Sequence, residues 1–242
     1  MKPLIATLLF SLFWLACPSS WAITAQEVVA RADEKRGPDG TFSFNVRVKD
    51  YNNKALVQEN VYKVHSKDMK FTLVETLFPE RLAGRKLLMA GQLWLYLPTL
   101  RRPTRVGTQQ RLTGEVANGD IARAKFSVDY SAKFEKPEKI GGKMYYRLML
   151  TAKDKAAAYR SVRLWVEQKE FFPLKAEFFA LSGKKLKSGE YTEKETVLGN
   201  ARMTGLIIKD AISPSKQSHL KYYNYRKENL DDRFFNKEAL AD

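Results

Sequence analysis

Cysteine is almost missing from this 242-residue chain: Cys17 is the only one, and it sits in an apolar stretch near the N-terminus. A chain that loses it has no disulfide, no thiol nucleophile and no thiolate metal site, so its stability must come from burial. Histidine is nearly as scarce. His65 and His219 each stand in an alternating strand pattern, without a carboxylate or second histidine at ligand spacing, and are expected to face solvent or a polar neighbour rather than a metal. Missing too are the Gly-x-Ser-x-Gly elbow, the Gly-x-x-x-x-Gly-Lys-Ser/Thr phosphate loop and the His-Glu-x-x-His pair. Two Ser-x-x-Lys matches, Ser182 to Lys185 and Ser213 to Lys216, read as turns in a lysine-rich chain. No catalytic residue, metal or cofactor is therefore expected. Scattered carboxylates such as Asp120 and Asp129 leave an enzyme acting on an anionic lipid or glycan as the weakest alternative.

Only the N-terminus carries a long apolar run. Met1-Lys2 is followed by apolar residues from Leu4 to Ala16 and by the small-residue ending Ser20-Trp21-Ala22. This is the pattern of an export leader, too short to span a bilayer, and cleavage after Ala22 is expected. Residues 1–22 then form a signal peptide and 23–242 a single domain in the periplasm. Acylation at Cys17 is the lesser alternative, because Trp14-Leu15-Ala16 lacks the usual aliphatic residue and Pro18 follows. Charge points the same way: the net value is +15, and all but one of the 42 basic residues lie beyond Ala22, against 27 acids. For an exported protein, such a field favours lipid head groups and transient membrane-surface contact over nucleic acid.

The rest reads as mainly β, an α+β chain. Thr24 with Glu27 forms a capping box, which opens an amphipathic helix running to about Arg36 and stopped by Gly37-Pro38. Phe42, Phe44, Val46 and Val48 then alternate with polar residues at the strand period. Further strands are expected at about 56–65, 69–78, 86–97, 126–134, 144–152, 160–167, 172–181, 185–193, 202–209 and 218–226. Asp39-Gly40, Asn52-Asn53, Gly141-Gly142 and Ser182-Gly183 supply turn residues, so neighbouring strands should be antiparallel. So many strands must curl around either a filled centre or a cavity. Gly107 to Lys125 breaks the pattern and reads as a long loop with a short helical turn at Gly119 to Ala124; a last helix is expected from Leu230 to Leu240.

Leu93-Trp94-Leu95-Tyr96-Leu97 is apolar at every position, so this strand is covered on both faces or lines a cavity on one. These five, with Phe42, Phe44, Val46, Trp165 and Phe178, are the candidate contacts for an apolar ligand. Arg101, Arg102, Arg105 and Arg111 follow that strand and form a candidate patch for an anionic head group or acidic partner.

Several segments resemble the LolA/LolB-like outer-membrane lipoprotein-sorting proteins. They are Gly84 to Met89 leading into Trp94 to Pro98, Arg101-Arg102-Pro103 with Arg105-Val106, Gly114 to Asp120, Tyr145 to Leu148, Leu164-Trp165-Val166, and Pro173-Leu174-Lys175 with Phe178-Phe179. The resemblance implies a strongly curved antiparallel sheet forming an incomplete barrel, with helices covering an apolar cavity. It also implies a periplasmic carrier that binds the acyl chains of a lipoprotein or lipid and moves them toward the outer membrane without catalysis. The helix from Thr24 and the loop 107–125 would be the lids. The lid-holding arginine of that family does not map onto a defined position of this sequence, so no single functional residue is carried over from the resemblance. Cargo stays open between lipoprotein acyl chains and a hopanoid, fatty acid or glycolipid. The branch implies an inner-membrane transporter of the resistance-nodulation-division type as partner, and a non-catalytic adaptor of such an exporter is the alternative function.

Overall fold

The computed structural model describes residues 23–241, apart from 69, 123 and 124. The expected leader, its cleavage point and Cys17 lie outside the described residues.

Helix α1 (Ala25–Glu34) starts as its sequence dictates: the Thr24 hydroxyl accepts from the Glu27 amide while the Glu27 carboxylate accepts from the Thr24 amide at 2.7 Å. Its stripe of Val28, Val29 and Ala32 is completely buried. Beyond it, strands dominate: β1 (Thr41–Asn52), β2 (Ala55–Lys67), β3 (Phe71–Phe78), β4 (Lys86–Ala90), β5 (Gln92–Tyr96) and β6 (Pro103–Arg105). The loop region holds a small hairpin of β7 (Arg111–Thr113) and β8 (Val116–Ala117), then short helices α2 (Asn118–Ala122) and α3 (Phe126–Asp129). There follow β9 (Tyr130–Phe134), β10 (Glu138–Ile140), β11 (Lys143–Ala152), β12 (Ser161–Glu167), β13 (Pro173–Phe179) and β14 (Lys185–Tyr191). A side hairpin of β15 (Lys194–Val197) and β16 (Asn200–Met203) precedes β17 (Gly205–Asp210) and β18 (Lys216–Lys227).

One large antiparallel sheet runs in the order β10-β11-β12-β13-β14-β17-β18-β1-β2-β3-β4-β5-β6, with β9 sharing the free side of β11. Its two ends do not pair, so the sheet is an open half-barrel rather than a closed one. The inner face carries two apolar clusters. One packs Val28, Val29 and Ala32 of α1 against Leu148, Leu150, Val162, Leu164 and Phe178. The other packs Val116, Ile121 and Ala122 of the loop region against Val46, Val48, Val64, Leu93, Leu206 and Leu220. A third cluster lies on the outer face, where Leu73, Leu88 and Tyr96 are covered by Phe235 and Leu240 of the C-terminal segment.

Five local expectations change. The single strand expected at 86–97 is a hairpin, because Gly91 takes a positive φ of 71° and reverses the chain between β4 and β5. The strand expected from 126 opens with α3, and the one expected at 202–209 breaks at Thr204 into β16, which pairs outside the main sheet, and β17. The C-terminal helix is two 3₁₀ turns, Asp232–Phe235 and Glu238–Ala241, the first capped by the Asp231 side chain. In the β1–β2 turn the left-handed pair is Asn53 and Lys54 (φ 49° and 68°), one residue later than the Asn52-Asn53 reading.

Candidate functional site

The inner face is incompletely filled. Phe42 and Phe44 of β1 project inward at the strand period, and Tyr225 of β18 stacks on Phe44 with ring centroids 5.0 Å apart. Phe42 and Tyr222 extend this aromatic wall. Val64, Ile121, Tyr191 and Leu206 complete a pocket of about 50 Å³, with Arg36 and Asp120 at its polar margin. Burial pushes the Tyr222 and Tyr225 phenols well above the ordinary tyrosine range, so the wall stays uncharged across physiological pH. A volume of this size holds a few waters, not an acyl chain. Farther along the face, under residues 106–112, lies a roomier pocket of about 380 Å³ lined by Tyr62, Val74, Leu87, Leu95 and Arg111. That volume falls in the range of small-molecule sites, roughly 300–1,000 Å³.

The segment between these spaces is 107–122, held down by two buried polar networks. In the first, the Asp50 carboxylate accepts from Thr113 (2.7 Å) and Ser218 (2.5 Å), while Asn60 donates to Thr113 and the Glu115 amide donates to Ser218. Gly114 is obligatory there: its φ is +44°, and a Cβ would stand 1.9 Å from the Asp50 carboxylate. In the second, Asp120 is ion-paired with Lys187 of β14, both side chains under a tenth exposed. Asp120 also accepts from the Tyr159 hydroxyl and the Ala117 amide, each at 2.7 Å. Lys187 in turn donates to the Glu115 carbonyl at 3.0 Å.

Helix α1 is fastened similarly. Asp33 accepts from the Phe126 and Ser127 amides and pairs with Arg36 at 2.9 Å. The Arg36 guanidinium lies 4.0 Å from the centre of the Phe126 ring. Burial raises the Asp33 carboxyl above its usual range, with Arg36 and the two amides opposing the shift.

The ten apolar candidates divide between two faces. Phe42 and Phe44 line the smaller pocket and Leu95 the larger. Val46 and Leu93 sit in the same inner cluster, and Phe178 in its neighbour. Trp94 and Tyr96 point outward against the C-terminal segment, so β5 is covered on both faces. Trp165 also points outward, where its indole donates to Glu138 and Lys175 lies over its ring. Leu97 follows β5, half-buried, its carbonyl accepting from the Leu100 and Arg101 amides. The four arginines are exposed but spread out: Arg101 and Arg102 in the turn after β5, Arg105 on the edge strand opposite Trp94, and Arg111 on β7 near Glu115.

Tyr191, Tyr222, Tyr225 and Arg36 escaped the sequence reading. Strict alternation pairs Tyr223 with Tyr225. A bulge at Asn224 (φ 56°), where the β1–β18 register shifts between Ser43 and Asn45, turns Tyr222 and Tyr225 to the same side. Neither histidine approaches a metal set, and no group of three or more potential ligand side chains is found among the described residues. His65 is buried rather than solvent-facing, with its ring edge-on to Phe234; His219 packs on Tyr51. No helix among the described residues is long and apolar enough to cross a membrane.

A family model described only as an uncharacterized protein matches residues 68–242. No curated protein matches. Among solved structures, a LolA superfamily protein from Nitrosomonas europaea is 37% identical, with 90% of this chain and 100% of that one covered and a TM-score of 0.86. A domain named for outer membrane lipoprotein sorting, from Vibrio parahaemolyticus, is 20% identical over 90% of this chain and 98% of its own, with a TM-score of 0.76. A DUF1329 family protein from Desulfovibrio piger is 19% identical over 89% and 97%, with a TM-score of 0.74. The last two likenesses concern the fold.

Proposed function

The chain belongs to the LolA superfamily, and from that premise we propose that it is a non-catalytic periplasmic carrier, binding the acyl chains of a lipid or lipoprotein on the inner face of the half-barrel and moving them toward the outer membrane. The observation that carries this reading is the segment 107–122. It lies over an apolar face, with about 50 Å³ left open on one side and about 380 Å³ on the other, and two polar networks hold it there. Polar pins are specific in geometry and can be released as units, and the apolar contacts that the segment also makes through Val116, Ile121 and Ala122 are of the kind an entering acyl chain replaces.

Lifting that segment would join the two spaces along Phe44, Tyr222, Leu95 and Leu93. Each methylene then buried contributes about 0.8 kcal/mol, so a two-chain lipid would be held firmly without any covalent step. Phe42, Phe44, Val46, Leu93, Leu95 and Phe178 are the proposed acyl contacts. The exposed arginines 101, 102, 105 and 111 are the proposed head-group or partner contacts. Asp120 serves this reading as a pin, not as an acid or base.

The test is native mass spectrometry of protein released gently from the periplasm, followed by extraction and identification of bound lipid. One lipid or lipopeptide per chain is expected. Protein that arrives empty and remains empty when offered lipoprotein and phospholipid overturns the carrier. The small volume beside the aromatic wall favours a second reading in that event: an adaptor of a resistance-nodulation-division-type exporter that works through its basic surface.

A further inference from the structure

Antiparallel pairing sorts the loops of the half-barrel onto two ends. The β13–β14, β17–β18 and β1–β2 turns fall side by side at one of them. The Ala211 amide donates to the Leu186 carbonyl, and the Asn53 amide to the Ser215 carbonyl, linking each turn to the next. The β2–β3 pairing, which sets Val61 opposite Phe78, points the end of β3 to the same end of the half-barrel, stepped back from the β1–β2 turn.

Apolar side chains without cover concentrate here. Leu181 is 83% exposed, Ile212 72%, Val57 63% and Leu56 52%, and Leu77 and Phe78 follow at 46% and 49%. Each tip pairs its grease with exposed cations. Lys184 and Lys185 follow Leu181, the second of them paired with Glu177, Lys216 follows Ile212, Lys54 precedes Leu56, and Arg81 and Arg85 follow Phe78. Acids are few on this rim: Glu80 and Asp154 are exposed, while Asp210 is turned to the Ile212 and Ser213 amides.

A monomer surface seldom leaves such side chains uncovered at several adjacent tips. Apolar tips with long cationic stems beside them match a bilayer interface, where the grease enters the acyl boundary and the cations meet phosphate. We infer that this rim docks the protein onto an anionic lipid bilayer. The charge of the whole chain, +15, steers it to such a surface. The larger inner pocket lies against this rim, since Leu82 and Arg85 line its wall. Docking would therefore set that pocket against the membrane. The inference stands whether or not the interior carries cargo, because it rests on the outside of the hairpins.

The experiment is co-sedimentation of the periplasmically recovered protein with vesicles, either phosphatidylethanolamine with phosphatidylglycerol or phosphatidylcholine alone. Binding only to the anionic vesicles, weakened by salt, is expected. Leu181→Ser with Ile212→Ser should lower affinity at least tenfold. Removing charge with Lys184→Gln and Lys216→Gln should weaken it about fivefold per lysine and flatten the salt dependence. Met144→Ser, at an exposed apolar site beside the β10–β11 turn at the opposite end, should leave binding unchanged. Far-ultraviolet circular dichroism confirms that these surface variants fold. A protein that ignores anionic vesicles overturns the inference, and so does an equal loss on Met144→Ser. Vesicle binding by protein that carries no lipid would separate this surface from the carrier reading.

Discussion

Replacing Lys187 with methionine tests whether the segment 107–122 is pinned as described. The substitution keeps the length of the stem but removes the ammonium, which lies over the Tyr159 and Phe178 rings, leaving Asp120 buried with only the Tyr159 hydroxyl and the Ala117 amide as donors. Breaking a buried pair by removing one partner costs about 3–5 kcal/mol, and the two remaining donors place this case near 3. For a chain of this length that lowers Tm by about 6–12 °C. Asp120→Asn should cost a similar amount by stranding Lys187. The double variant should cost far less than the sum, because both charges leave together and the asparagine still accepts from Tyr159 and Ala117. Urea unfolding of all four proteins completes the cycle, with a coupling of at least about 1.5 kcal/mol expected. Amide exchange within 107–122 should speed up about a hundredfold in either single variant if the pin opens locally. Additive single costs, or a loss below about 1 kcal/mol for Lys187→Met, would refute the claim that this pair holds the segment.

Gly114→Ala should destabilise by about 3 kcal/mol in urea unfolding, since it combines a positive φ with a Cβ driven into the Asp50 carboxylate; retention of full stability would mean the first network is not closed. Burial lowers the His65 pKa below its ordinary 6.5, so the unfolded chain binds the proton more readily. Stability on this account is complete above about pH 6.5 and falls as the pH drops below it, which His65→Phe should flatten in melting curves from pH 7 to 5. Phe44→Asp should abolish binding of a fluorescent fatty acid at unchanged far-ultraviolet circular dichroism; unaltered binding would move the site away from the aromatic wall.

Much of the architecture can be read directly from local chemistry. The Thr24–Glu27 box and the alternation through Val48 each need only neighbours in sequence, and the structure keeps both. What sequence periodicity misses depends on partners far along the chain. Gly91 looks like an interruption within one apolar strand, and its reversal becomes evident only when Leu88 stands opposite Trp94. Leu93 to Leu97 declares burial on both sides but not what covers each side. The cover of the outer side comes from Phe235 and Leu240, about 140 residues later. The Tyr222–Tyr225 pair is hidden by a bulge that flips the alternation. Asp50, Ser218, Asp120 and Lys187 look like ordinary surface polar residues in sequence, and only tertiary proximity makes them pins.

The adjacency of β1 and β18 has a kinetic consequence. Strands β1 to β6 can zip together as they emerge, each on the one before, yet the far side of β1 finds its partner only in the last strand. Until β18 arrives, the two halves remain separate ribbons, each ending in an unpaired edge of backbone donors and acceptors. Such a long-range seam slows folding and leaves the partial chain prone to edge-to-edge pairing. A polypeptide threaded through a narrow channel from its N-terminus would thus stay uncommitted until nearly all of it had passed, and the final seam would decide both when the half-barrel sets and how long a chaperone must attend it.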